Sequence, residues 1–175
     1  YTSVEFIMSE EQALNNYTYD YYTSGTQGSP AISSLKNGGY VISWYSIEKG
    51  GISTQIFDGY GNKSGNEFSV GGSVSRWDST TSVTSLTNGN FIVTWKGANV
   101  SGSGILGQIY NENGIKLGND FLVNTNSCSY IGVPSVVGLE NGGFVVSWKF
   151  GSTKINGQMF DSNGSKVGSE FRING

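Results

Sequence analysis

The sequence predicts an all-β protein made of three antiparallel units of four short strands each, with one extra strand at the N-terminus. Three observations predict it. A ten-residue phrase occurs as Leu35-Lys36-Asn37-Gly38-Gly39-Tyr40-Val41-Ile42-Ser43-Trp44, as Leu86-Thr87-Asn88-Gly89-Asn90-Phe91-Ile92-Val93-Thr94-Trp95, and as Leu139-Glu140-Asn141-Gly142-Gly143-Phe144-Val145-Val146-Ser147-Trp148. Trp44 and Trp95 are 51 residues apart and Trp95 and Trp148 are 53 apart, so changes in length fall in loops, and one supersecondary unit is built several times. The chain carries 27 glycines among alternating and β-branched runs, with no sustained helical period.

The elements follow in order. Val4-Glu5-Phe6-Ile7-Met8 has the form of a strand, and the rest of residues 1–28 is an irregular, Tyr-rich linker in which 9–15 suit one helical turn at most. The first unit covers 29–80, the second 81–132 and the third 133–175. Strand a of each unit lies around Ala31 to Leu35, Ser82 to Leu86 and Ser135 to Leu139. The Asn-Gly dipeptide that follows is a strong hairpin signal, read as a type I′ turn with positive φ at both central residues. Strand b runs from the aromatic residue to the Trp. Strand c carries Gln55, Gln108 or Gln158, and a Gly/Asn turn leads to strand d at Glu67-Phe68-Ser69-Val70, Asp120-Phe121-Leu122-Val123 and Glu170-Phe171-Arg172-Ile173.

Strands a, b and c occur three times, but the d-type phrase occurs four times, because residues 4–8 match it. One strand is surplus. Either the chain belongs to a longer array cut within a repeat, or the N-terminal strand completes a unit whose other strands lie elsewhere, in this molecule or a neighbour. An unpaired strand edge is a template for another chain, so Val4, Glu5, Phe6, Ile7 and Met8 form a candidate assembly strand.

The combined phrase, Leu-x-Asn-Gly-Gly-Phe-Val-Val-Ser-Trp, then Gly-Gln-x-Phe-Asp-x-x-Gly, then Gly-x-Glu-Phe-x-Ile-Asn, resembles a tandem repeat of large secreted and cell-surface microbial proteins. These include adhesin-like and RTX-type chains. The resemblance covers residues 29–175 and, through its last strand, 4–8. It implies β-propeller-like blades, an extracellular scaffold or adhesive role, and no chemistry. Three blades fall short of the usual four to eight that close a propeller. Units from two chains can close a ring, the array can continue along a longer polypeptide, or three units can form a β-trefoil.

Composition excludes several function classes. Charged residues make up 13% of the chain, with a net charge of −3 and a pI near 4.9. No basic field attracts nucleic acid or an anionic membrane. No apolar run reaches the length needed for membrane insertion, and the first thirty residues lack the pattern of a signal peptide, so the chain reads as a mature form or an excised piece. A single cysteine, Cys128, allows no intrachain disulfide and reads as an inert thiol or an intermolecular link. The chain has no histidine, and Cys128 has no evident base, so the common nucleophilic arrangements are absent and no enzyme is expected.

Residues that recur in every unit are read first as packing. Trp44, Trp95 and Trp148 can stack on sugar rings, but large aromatics at strand ends also bury much area between units. Gln55, Gln108 and Gln158 read as buried amides that satisfy backbone groups between neighbouring units. The turns at 58–62 and 161–165 hold one carboxylate each, too few for a calcium site, and no cofactor or metal is expected. Sequons stand at Asn16, Asn62, Asn99 and Asn163. Residues that break the repeat are the better places for specificity: Tyr17, Tyr19, Tyr21 and Tyr22, and Arg76 with Trp77. They suit glycan stacking or a protein contact. The expected function is therefore an extracellular module that assembles with its own copies or mediates surface contacts, with a glycan-binding lectin as the alternative.

Overall fold

The computed structural model describes residues 27–71, 80–99, 102–126 and 131–175. The sequence assignments at Val4 to Met8, Asn16, the linker tyrosines, Arg76, Trp77 and Cys128 lie outside these residues. Twelve strands form three separate sheets, and no helix occurs among the described residues. Unit 1 contains β1 (Gln27–Ser34), β2 (Tyr40–Ser46), β3 (Gly51–Phe57) and β4 (Lys63–Ser69). Unit 2 contains β5 (Thr81–Ser85), β6 (Phe91–Asn99), β7 (Gly102–Tyr110) and β8 (Lys116–Leu122). Unit 3 contains β9 (Ile131–Gly138), β10 (Phe144–Phe150), β11 (Lys154–Phe160) and β12 (Lys166–Arg172). Each sheet is an antiparallel meander in chain order. The sheets do not merge into a common barrel, which removes the β-trefoil alternative.

The hairpin turns differ from the type I′ expectation. At Leu35 the N–H donates to Gly39 O, and Gly38 N–H donates to Leu35 O, which leaves a three-residue loop. Gly38 has a φ of 88° while Asn37 keeps negative φ, so this is a type I turn closed by a left-handed glycine. Asn37 is selected for another reason: its Oδ1 accepts the Gly39 N–H at 3.0 Å, as Asn88 and Asn141 do for residues 90 and 143. The c-to-d turns repeat the design. Asp58 Oδ1 accepts the N–H groups of Tyr60 and Asn62, Asn111 accepts those of Asn113 and Ile115, and Asp161 those of Asn163 and Ser165.

Both prolines fall in the first strand of a unit, at Pro30 and Pro134. These are edge strands of their own sheets, where a missing N–H costs no ladder bond. The two central strands of unit 1, β2 and β3, are buried almost throughout. Stacking against the next sheet buries one face of these strands, with β1, β5 and β9 side by side as the innermost strands, and Ile42, Trp44 and Phe57 form a separate buried cluster on the other face. One core joins units 1 and 2 and a second joins units 2 and 3.

Candidate functional site

The repeated residues converge on the joints between sheets. At each of the two joints the earlier unit presents a mainly aliphatic face and the later unit an aromatic one. At the first joint, Leu35, Val41, Ile52, Ile56 and Val70 meet Val83, Phe91, Val93, Trp95 and Tyr110. At the second, Leu86, Ile92, Ile105, Ile109 and Val123 meet Val136, Phe144, Val146, Trp148 and Phe160. Each aromatic face holds a stacked pair, Phe91 on Tyr110 and Phe144 on Phe160, with ring centroids 5.3 and 4.9 Å apart. The stacked pair then leans on the strand-d phenylalanine of the preceding unit, Phe68 or Phe121.

The c-to-d turn glycine of the later unit seats on the same phenylalanine. A Cβ on Gly114 would lie 2.8 Å from the Phe68 ring, and one on Gly164 would lie 2.9 Å from the Phe121 ring. Polar bonds bind the innermost strands. Ser85 N–H donates to Ser33 Oγ at 3.0 Å and Val136 N–H donates to Ser82 Oγ at 3.2 Å, while Ser43 of β2 pairs with Thr81 of β5 at 3.1 Å.

Trp95 and Trp148 are 0% and 1% exposed, so neither offers a ring to a sugar. They are joint residues. Trp44 is also buried, and its Nε1 donates to Gln27 Oε1 at 2.8 Å. The three glutamines are buried amides, but they act within a sheet and not between units. At Gln55 the β3–β4 pairing slips, with Thr54 opposite Phe68 and Ile56 opposite Ser64. Three residues of β4 therefore face one of β3, and the Gln55 side chain fills the gap by donating to Ile56 O and Gly65 O. Gln108 and Gln158 do the same toward Gly118 and Gly168. Gly65, Gly118 and Gly168 take φ of 69 to 74°, which turns their carbonyls onto the amide.

Glu170 locks the second joint. Its carboxylate accepts the N–H groups of Thr125 and Asn126 at 2.8 and 3.2 Å and the Asn156 amide at 2.6 Å. Burial pushes the Glu170 carboxyl up, but those donors outweigh it and hold the group below its ordinary value. Lys166 donates to Thr125 Oγ1 alongside at 2.9 Å. Burial lowers its ammonium pKa, against the pull of Glu170. Asp58 is also held below the ordinary carboxylate value, chiefly by the Asn62 side chain and then by the turn N–H groups. Burial raises the Tyr110 hydroxyl pKa, reinforced by Asp120.

Sequence reading missed Asn124 and Asn174. Asn124 Oδ1 accepts Ile105 N–H at 2.7 Å and Asn174 Oδ1 accepts Ile155 N–H at 2.8 Å, which closes the start of strand c after strand d ends. Their signal was the Asn that ends the strand-d phrase in units 2 and 3. Also missed was an open polar cleft of about 330 Å³ where turns of units 1 and 2 converge. Lys36, Asn37, Asn88, Asn90, Asn111, Glu112 and Asn113 line it, and Lys36 Nζ donates to Thr87 O across the joint at 2.9 Å. Amides and one charge of each sign suit a polar, hydrogen-bonding ligand; no hydroxyl, thiol or imidazole lines the cleft.

Asn62 and Asn163 are exposed in c-to-d turns, and the Asn62 amide donates to Asp58 Oδ2 at 3.0 Å. Asn99 ends β6. Among the described residues no cluster of His, Cys, Asp or Glu is arranged to hold a metal, and no helix is long and apolar enough to cross a membrane. No protein-family model and no curated protein sequence matches the chain.

Proposed function

We propose that this chain is a non-enzymatic, extracellular repeat module that assembles with copies of itself or with adjacent repeats of a longer chain. A component of a filament, sheath or surface layer, or an adhesin-like contact, fits this reading. The observation that carries it is the use of the repeated side chains. Phe68, Phe121, Trp95, Trp148 and the turn glycines Gly114 and Gly164 all serve sheet-to-sheet joints, and the joint is built twice from equivalent positions. A unit of this kind cannot cover its own aliphatic face and calls for a neighbour. The extracellular location rests on the resemblance of the repeat phrase. Light scattering of the full chain over a wide concentration range tests the reading: growth in mass with concentration supports it, and a constant single-chain mass opposes it.

Glycan binding is the second reading, favoured by the polar cleft between units 1 and 2. Tyr17, Tyr19, Tyr21, Tyr22, Arg76 and Trp77 remain its candidate contacts in the irregular linkers. A glycan array decides it: hits lost on Asn88→Ala or Trp77→Ala support binding, and an array without hits ends it.

A further inference from the structure

The joint between units 1 and 2 differs from the joint between units 2 and 3 where its turns meet. Position by position, Lys36, Gly89, Asn90 and Glu112 at the first joint are matched by Thr87, Gly142, Gly143 and Ser162 at the second. At the second joint the turns close on each other. Gly142 is buried there, and a Cβ on it would lie 3.5 Å from Thr87 Oγ1 and 3.8 Å from the Ser162 Cβ. At the first joint Gly89 is only half-buried, and a Cβ on it would meet nothing within 4 Å. The cleft of about 330 Å³ therefore coincides with residues that break the repeat, where packing between units does not dictate the side chain.

The polar groups of the lining are unevenly committed. Asn37, Asn88 and Asn111 each fix Oδ1 on backbone N–H groups of their own turn. Those bonds hold the three amides in place and leave their Nδ2 hydrogens as donors. Lys36 Nζ donates one bond, to Thr87 O at 2.9 Å, and keeps its other hydrogens. Glu112, exposed, is the acceptor-only side chain of the lining. Lys36 and Glu112 balance each other in a chain of net charge −3, so no local field favours an anion.

We propose, resting on the glycan-binding reading, that this cleft is the site of a neutral saccharide held by hydrogen bonds and not by ring stacking. A sugar hydroxyl donates and accepts at once, so it can take a hydrogen from an amide or from Lys36 while giving its own to the Glu112 carboxylate. A carboxylate or phosphate group brings no hydrogen for Glu112, and an ammonium group brings no acceptor for the amides. Amides fixed before binding lose little freedom when the ligand arrives. The volume lies at the lower end of small-molecule sites, about 300–1,000 Å³, and suits a mono- or disaccharide. No aromatic ring lines the cleft and every bond made replaces one to water, which sets the affinity in the millimolar range.

NMR of the isotope-labelled full chain tests the site on the amides themselves. Methyl glycosides of glucose, galactose and mannose are titrated to about 100 mM. At least one should shift the side-chain amide signals of Asn37, Asn88 and Asn111, with a millimolar Kd that stays constant when salt is raised to about 0.5 M. Lys36→Thr/Glu112→Ser gives the first joint the residues of the second. Both positions are exposed, so this variant should keep the wild-type melting temperature while binding at least about tenfold more weakly. Cleft amides unmoved by all three sugars, undiminished binding in the variant, or an affinity that falls with salt overturns the proposal. Glycan-array hits that survive Lys36→Thr/Glu112→Ser and vanish on Trp77→Ala also overturn it, while glycan binding itself stands. A chain that binds no glycan, on the array or in the titration, overturns both.

Discussion

Gln108→Glu tests how the strand-d bulge is held. The Gln108 Nε2 donates to Ile109 O at 2.9 Å and reaches Leu117 O and Gly118 O at 3.4 and 3.3 Å, in a site only 2% exposed. Glutamate has the same shape but offers oxygens to those carbonyls. The buried carboxyl must then stay ionised among acceptors or bind a proton, and binding one at pH 7 costs ~3.7 kcal/mol for a group with an ordinary pKa of about 4.3. The substitution should therefore cost about 4 kcal/mol at pH 7. Gln108→Leu removes the donor without adding a charge and should cost about 1–3 kcal/mol at any pH.

The pH dependence carries the decision. The glutamate pKa is raised in the folded state, so the penalty is absent below the unfolded value and grows as pH rises above it. Near pH 4 the protonated carboxyl can donate one bond, and the Glu variant should be no less stable than the Leu variant. Urea unfolding of both variants and wild type at pH 4 and pH 7, followed by tryptophan fluorescence, supplies the comparison. A Glu variant that matches the Leu variant at pH 7, or shows no change relative to wild type between the two pH values, would refute the donor role of the amide.

Trp148→Ala should cost about 3–5 kcal/mol, read as a fall in denaturation midpoint, because it opens a cavity in the joint between units 2 and 3. Gly164→Ala should destabilise more than Gly118→Ala: both have positive φ, but a methyl group meets the Phe121 ring at Gly164 and open space at Gly118. A difference of about 1 kcal/mol is expected in thermal or chemical unfolding, and equal losses would show that the turn does not press on Phe121. Glu170→Gln should cost about 1 kcal/mol at neutral pH, since solvent screens the partly exposed carboxylate. Because the native carboxyl sits below its ordinary value, its contribution is complete above pH 4.5 and lost as pH falls through the folded value. The acid limb of the wild-type stability profile should therefore flatten in the variant.

The order of the strands was legible because each unit repeats its own evidence. Alternating residues mark strands b and c, and the Asn-Gly and Asp/Asn-x-x-Gly turns recur at fixed offsets. The turn type was not legible from the dipeptide alone. An Asn-Gly pair serves either a two-residue I′ turn or the end of a three-residue loop, and the Leu35–Gly39 bond selects the second. The placement of the glutamines was misread for a related reason. Periodicity shows that Gln55 is buried, but the partner depends on a slip in the β3–β4 ladder that no composition signal reports. The polar cleft was hidden because Lys36, Asn88 and Glu112 belong to different turns that meet only when sheets stack.

The sequence by itself determined the all-β class, the three four-stranded units and the residues that recur at equivalent positions. Local chemistry suffices for these, since turn residues and strand patterning act within a few positions of each other. Only the tertiary structure decided what those residues face. The same tryptophan position can serve a sugar or a neighbouring sheet, and stacking of β5–β8 on β1–β4 and of β9–β12 on β5–β8 puts Trp95 and Trp148 out of reach of any ligand. The same stacking sorts apolar strand residues into covered and open faces. Ile105 and Ile155 occupy equivalent places, yet one is buried and the other is 37% exposed, because a following sheet covers the first. That difference depends on neighbours in space, which strand pattern alone does not encode.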